Sequence, residues 1–163
     1  SSDVCSSDLI AAVEDNPDLP VLLKVHPETR IGRRRGYFDD RLLAEARRSS
    51  AAVEAAWQAG RLARFAGAIT PRDLFARTAR LYVASSLLGL EALIVGVPVS
   101  VYGQAFYAGW GLTDDRAPAT HRRVPASLDC LVAAAYRDYT TYLSPVDRRI
   151  VSLETVIEHL TAT

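Results

Sequence analysis

The chain has 163 residues, 49% of them apolar and 23% charged. That composition belongs to a folded domain and excludes disordered, collagenous and coiled-coil chains, and the length suits one domain better than two. Nineteen basic side chains balance nineteen acidic ones, which counts against a nucleic-acid partner held by phosphate neutralisation.

Methionine is absent, and the first nine residues carry a short repeat, Ser1-Ser2-Asp3 and Ser6-Ser7-Asp8 around Val4-Cys5. This string has no hydrophobic period and resembles a translated sequencing adapter, with a natural low-complexity tail as the alternative. Residues 1–9 are therefore set apart as a non-native leader. Residues 10–163 are read as the domain, a fragment of a longer chain. No basic region followed by an apolar one opens the chain, so no secretion signal is visible.

Ile10 to Glu14 reads as the last turn of a helix, closed by Asn16-Pro17-Asp18 and Pro20. Val21 to Val25 is a buried-strand pattern ending at His26-Pro27. A basic loop bracketed by glycines follows, Thr29 to Tyr37, with Arg33, Arg34 and Arg35 at its centre. From Asp40 to about Ala59, Leu42, Ala46, Val53 and Trp57 keep helical spacing; Asp39 or Asp40 is the expected N-cap and Gly60 the stop. Leu62 to Ala66 is a weaker strand pattern. Thr70-Pro71 opens a short helix to about Thr78, with Pro71 in the first turn and Asp73 behind it.

Leu81 to Ala84 predicts a strand running into Ser85-Ser86, and Leu87 to Val95 a helix apolar nearly all round, stopped by Gly96. The apolar run from Leu87 to Val99 is broken by Glu91 and Pro98 and is too short for the roughly 20 residues that span a bilayer. Val97 to Tyr102 predicts a third firm strand, ending at Gly103, and Gln104 to Arg116 an aperiodic loop rich in glycine and aromatics. Ser127 to Tyr142 is expected to be helical, as is Ser152 to Leu160 with Ser152 as N-cap. Cys5 and Cys130 fit neither a disulfide framework nor a zinc spacing, and the expected compartment is the cytoplasm.

Strands alternating with helices predict an α/β fold, a Rossmann-like parallel sheet flanked by helices. Ligands of such sheets bind beyond the carboxyl ends of the strands, so His26-Pro27, Ser85-Ser86 and Gly103 are expected along one rim. Ser85 and Ser86 either hold a phosphate or simply cap the following helix. Glu91, about 7.5 Å further along that helix, is placed to meet a ribose hydroxyl or else faces solvent. His26 can donate to a phosphate or pass a proton to a leaving group, the plain alternative being a buried, satisfied histidine. Lys24, the one lysine beside eighteen arginines, shares a strand face with His26. The arginine run fits an anionic substrate, a membrane surface or a solvated loop. Phe106, Tyr107, Trp110, Asp114 and Asp115 read as a sugar or base platform, or as a loop packed on its own aromatics.

Four stretches carry a family resemblance: KVHP at 24–27, GRRRGY at 32–37, SSLLGLEA at 85–92 and GQAFYAGWGLTDDR at 103–116. From about residue 10 onward the chain resembles capsule polysaccharide biosynthesis proteins of the KpsC/LipB type. The resemblance implies the C-terminal, nucleotide-sugar-binding half of a GT-B glycosyltransferase that moves Kdo (3-deoxy-manno-octulosonic acid) from CMP-Kdo to a lipid-linked oligosaccharide acceptor. It implies that Lys24, His26, Ser85, Ser86 and Glu91 hold the CMP phosphate and ribose, with His26 at the leaving-group phosphate. Arg33, Arg34, Tyr107, Trp110, Asp114 and Asp115 would then meet substrate. No cofactor beyond the CMP-Kdo donor and no metal is expected. The attacking carboxylate is expected in a preceding N-terminal domain with no counterpart here, so the chain alone is expected to be inactive. A peripheral association with the cytoplasmic face of the inner membrane is compatible with this reading. The alternative is a non-catalytic assembly or export component that keeps the fold for binding.

Overall fold

The computed structural model describes residues 2–24, 40–65, 67–117 and 124–162. The chain forms two units, Ser1–Leu74 and Phe75–Thr163. His26, Arg33 and Arg34 lie outside the described residues, as does Val25.

The first unit contains α1 (Ser2–Glu14), β1 (Val21–Lys24), α2 (Asp40–Ser49), α3 (Ala51–Gln58) and β2 (Leu62–Phe65), with α4 (Pro71–Phe75) at its boundary. Helix α1 begins at Ser2, so residues 2–9 continue the helix expected only from Ile10. Leu9 and Val13, one turn apart on one face, are 3% and 1% exposed. They join Leu23, Leu42, Leu43, Ala46, Val53, Ala56 and Leu62 in one apolar cluster. Strands β1 and β2 pair in parallel, Val21 opposite Leu62 and Lys24 opposite Phe65.

The helix expected from Asp40 to Ala59 is in fact two helices. Ser50 breaks it with extended backbone (φ −134°, ψ 121°), and its Oγ accepts from Val53 N at 3.4 Å. The same hydroxyl donates to Glu14 Oε1 at 3.2 Å. A serine that can cap and bond at once has more to gain at a helix start than inside a helix. Gly60 ends α3 with φ +68°, as the sequence leads one to expect.

The second unit holds β3 (Leu81–Val83), α5 (Leu88–Ile94), β4 (Val99–Val101), β5 (Asp114–Asp115) and α6 (Leu128–Val132), which runs into a π-helical turn (Ala133–Tyr139). After it come a hairpin of β6 (Tyr142–Leu143) and β7 (Ile150–Val151) and then α7 (Leu153–Thr161). Strands β3, β4 and β5 form a parallel sheet in that order, Leu81 opposite Val99 and Ser100 opposite Asp114. Val83, Val99 and Val101 are buried, and α5 packs on β3 and β4. Parallel strands with helical crossovers make this the expected α/β, Rossmann-like arrangement.

Three expectations are corrected here. The segment from Gln104 to Arg116 is not loop throughout, because Asp114-Asp115 adds an edge strand to the sheet. The stretch from Ser127 to Tyr142 is an α-helix only to Val132, then widens into the π-helical turn and ends in β6. Helix α5 is not buried all round: Gly89, Leu90 and Ala92 are buried, while Leu87, Ile94 and Val95 around its ends are exposed. Among the described residues, no helix is long and apolar enough to cross a membrane.

Candidate functional site

The site is built where β3 hands over to α5. At the carboxyl ends of β3 and β4 the main chains approach closely: Tyr102 N donates to Val83 O at 2.9 Å. A Cβ added at Gly103 would sit 2.6 Å from the carbonyl oxygen of Ala84, so only glycine fits there. Ser85 and Ser86 follow, both exposed. Ser86 Oγ accepts from Leu88 N at 3.3 Å, tightening the entry into the helix. The Ser85 hydroxyl makes no hydrogen bond with another described residue and is available to a ligand.

The carbonyl of Ser86 has two donors. Gly89 N reaches it at 3.0 Å, and the hydroxyl of Tyr107 donates to it from the loop after β4. Tyr107 is 0% exposed, and burial pushes its phenol up to about 12. A Cβ on Gly89 would lie 2.7 Å from Tyr107 Cζ. The glycine therefore lets the aromatic ring reach beneath the Ser-Ser turn. Tyr107 has no surface left for a sugar; its part is to hold the turn in place.

The loop that carries Tyr107 is fastened to itself. Phe106 meets Tyr107 edge-on, with centroids 5.4 Å apart. Trp110 Nε1 donates to Phe106 O at 2.8 Å. Asp115 accepts from Gly109 N at 2.9 Å and from Thr113 Oγ1 at 2.6 Å. Gly109 and Gly111 take left-handed backbone, φ +81° and +78°.

Asp114 faces the other side of the sheet edge. It accepts from Ser100 Oγ at 2.9 Å and from Arg116 Nε at 2.8 Å, with Arg80 Nη1 at 3.8 Å. Arg80 also donates to Ser100 Oγ at 3.1 Å. Arg116 first holds the Asp114 carboxyl below the usual carboxylate range; burial opposes it less strongly, and the Ser100 bond and the Arg80 charge add to the lowering. Both aspartates are thus engaged within the chain. Arg80 and Ser100 were not singled out from the sequence; the polar Ser100 between Val99 and Val101 was the available signal.

Glu91 is half-buried on α5, on the helical face it shares with Leu87 and Ile94, four residues before it and three after. No described side chain hydrogen-bonds or ion-pairs with its carboxylate. The structure therefore gathers Ser85, Ser86, Glu91 and the loop of Phe106, Tyr107 and Trp110 into one region of the second unit. Lys24 sits half-buried at the end of β1 in the first unit.

Residues 3–146 match the family described as capsule polysaccharide biosynthesis protein. The chain belongs to this family. Its relatives include the capsule polysaccharide modification protein LipA of Neisseria meningitidis serogroup A, 34% identical over 155 residues. That match covers 91% of this chain and 20% of LipA. The lipopolysaccharide-processing protein LpsZ of Rhizobium meliloti is 35% identical over 129 residues, covering 79% of this chain and 26% of LpsZ. The chain thus spans a fifth to a quarter of these family relatives.

Among solved structures, the β-Kdo 2,4 transferase of Thermosulfurimonas dismutans KpsC superposes with a TM-score of 0.78 at 31% identity. This covers 98% of the present chain and 45% of the KpsC chain. The β-Kdo 2,7 transferase of the same protein gives 0.72 at 30% identity, covering 96% and 45%. The family fold seen in these neighbours is the Kdo-transferase α/β fold, of which this chain corresponds to somewhat less than half.

Proposed function

We propose that this chain is the CMP-sugar-binding half of a glycosyltransferase that transfers Kdo from CMP-Kdo to a lipid-linked acceptor in building the capsule linker. One observation carries the reading. Two exposed serine hydroxyls stand at the carboxyl end of a parallel strand, in a chain similar to a β-Kdo transferase over 98% of its length. Such strand ends are where α/β folds bind nucleotides. In this reading Ser85 and Ser86 donate to the CMP phosphate, and Glu91 accepts from the ribose. His26 assists the departing phosphate, Lys24 helps to hold it, and Arg33, Arg34 and Trp110 meet the sugars. Similarity to both the 2,4 and the 2,7 transferase supports the donor and leaves the linkage open. The attacking carboxylate comes from the remainder of the full-length protein, at the cytoplasmic face of the membrane.

The test is calorimetry of CMP and CMP-Kdo binding to the full-length protein. A hydrogen bond to a charged phosphate contributes about 1.5–3 kcal/mol, so Ser86→Ala should weaken binding by at least tenfold. Unchanged affinity would remove the phosphate assignment.

A further inference from the structure

The exposed apolar side chains are unevenly spread. Tyr139, Leu143, Val146, Ile150, Ile157 and Leu160, all large and exposed, fall within the last 25 residues. Leu143 and Ile150 stand opposite each other in the β6–β7 ladder, and so on one face of the hairpin, at 58% and 76% exposure. Ile157 and Leu160 lie one turn apart on α7, at 49% and 75%, and no residue of that helix is buried. Yet α7 is well formed, with Ser152 Oγ accepting from Thr155 N at 3.3 Å. A capped helix with an unburied apolar face, beside a hairpin with an unburied apolar pair, is a surface shaped to be covered.

Charge indicates what covers it. From residue 137 to 160 the chain has three arginines against four acidic side chains. Two of the arginines, Arg137 and Arg149, already pair with Asp138 and Asp147. An anionic bilayer is recognised by clusters of roughly four to eight basic residues, which this segment lacks. Near-neutral apolar surface suits protein. The KpsC neighbour supplies the candidate, because a match over 98% of this chain takes in most of α7 while 55% of that polypeptide lies beyond the matched 45%.

We propose that the outward face of the β6–β7 hairpin and α7 is an intramolecular interface, covered by the part of the full-length polypeptide that lies beyond the region matched here. This does not depend on which nucleotide sugar is bound.

The test is thiol labelling of the full-length protein carrying Leu160→Cys, read peptide by peptide with the exposed Cys130 as internal reference. Ile150→Cys serves as a second, independent variant. The introduced thiol is expected to label at least tenfold more slowly than Cys130, unchanged by dilution and without added lipid. Labelling as fast as Cys130 overturns the proposal. So does protection that disappears on tenfold dilution, which indicates a second copy, or protection that appears only with anionic phospholipid vesicles, which indicates a membrane.

Discussion

The Tyr107 hydroxyl donates to the main-chain carbonyl of Ser86, 21 residues earlier, and Gly89 leaves room for the aromatic ring to do so. A buried aromatic from one crossover loop thereby sets the height of the Ser-Ser turn from below. Because the acceptor is a main-chain carbonyl, the bond uses neither serine hydroxyl, and both serines are exposed.

Tyr107→Phe keeps the ring and removes only this bond. The Ser86 carbonyl retains Gly89 N, so the loss of stability should be about 1 kcal/mol, with nucleotide affinity falling severalfold. Gly89→Ala should cost more, about 1–3 kcal/mol, because the new Cβ must displace a fully buried ring. Combining the two should recover part of that loss, since the phenol oxygen is the atom nearest the added carbon. Denaturant melts of the three variants decide it; strict additivity would mean that the ring and the glycine do not meet as described.

Acid should loosen the edge of the second sheet. Asp114 has a depressed carboxyl pKa, owing first to Arg116, so its contribution to stability is fully present above its unfolded value of about 3.9. It is lost as the pH falls through the folded value. Asp114→Asn should therefore flatten the dependence of the urea midpoint on pH between about 5 and 2. Ser100→Ala should lower stability at every pH, because the 0%-exposed hydroxyl bridges Asp114 and Arg80.

In the first unit, Glu54 accepts from Arg47 at 2.7 Å and from Gln58 at 2.8 Å. These bonds, Arg47 foremost, bring its carboxyl down to about 2 from 4.5. The pair's contribution is present above pH 4.5 and lost as the pH drops toward 2. A carbon-detected NMR titration should place Glu54 well below the other glutamates, and Arg47→Ala should return it toward 4.5. Since the pair is only partly buried and in contact with solvent, added salt should reduce the shift.

Ser50→Ala removes an N-cap and the link to Glu14 together. A cap of this kind contributes about 1 kcal/mol, and that is the expected loss in a thermal or urea melt. Ser50→Asp, which can still cap but places a carboxylate beside Glu14, should recover little of it.

The elements set by local chemistry were legible: the strands beginning at Val21, Leu62 and Leu81, the caps Thr70 and Ser152, and the stop at Gly60. Each depends on neighbours within about four residues. Elements set by distant contacts were not. Ser50 reads equally well as a helix interior until Glu14, 36 residues away, gives its hydroxyl a partner. Asp114-Asp115 looks like loop because a two-residue strand exists only by pairing with β4. The candidate site divides in the same way. The position of Ser85-Ser86 at a strand end was readable from the chain, whereas the burial of Tyr107 was not, because aromatics in a glycine-rich loop look alike whether they point inward or outward.

The support beneath the Ser-Ser turn has a consequence for how members of this family can diverge. Every residue type at position 86 carries the same carbonyl, so the Tyr107 brace survives any replacement there. Only the short contact to Leu88 N depends on the hydroxyl itself. Chemistry facing the ligand can therefore drift at this position while the foundation stays constant. Gly89 and Gly103, pressed against the Tyr107 ring and the Ala84 carbonyl, have no such latitude. A mutational library seeking altered donor preference should randomise 85, 86 and 91 and leave the two glycines untouched.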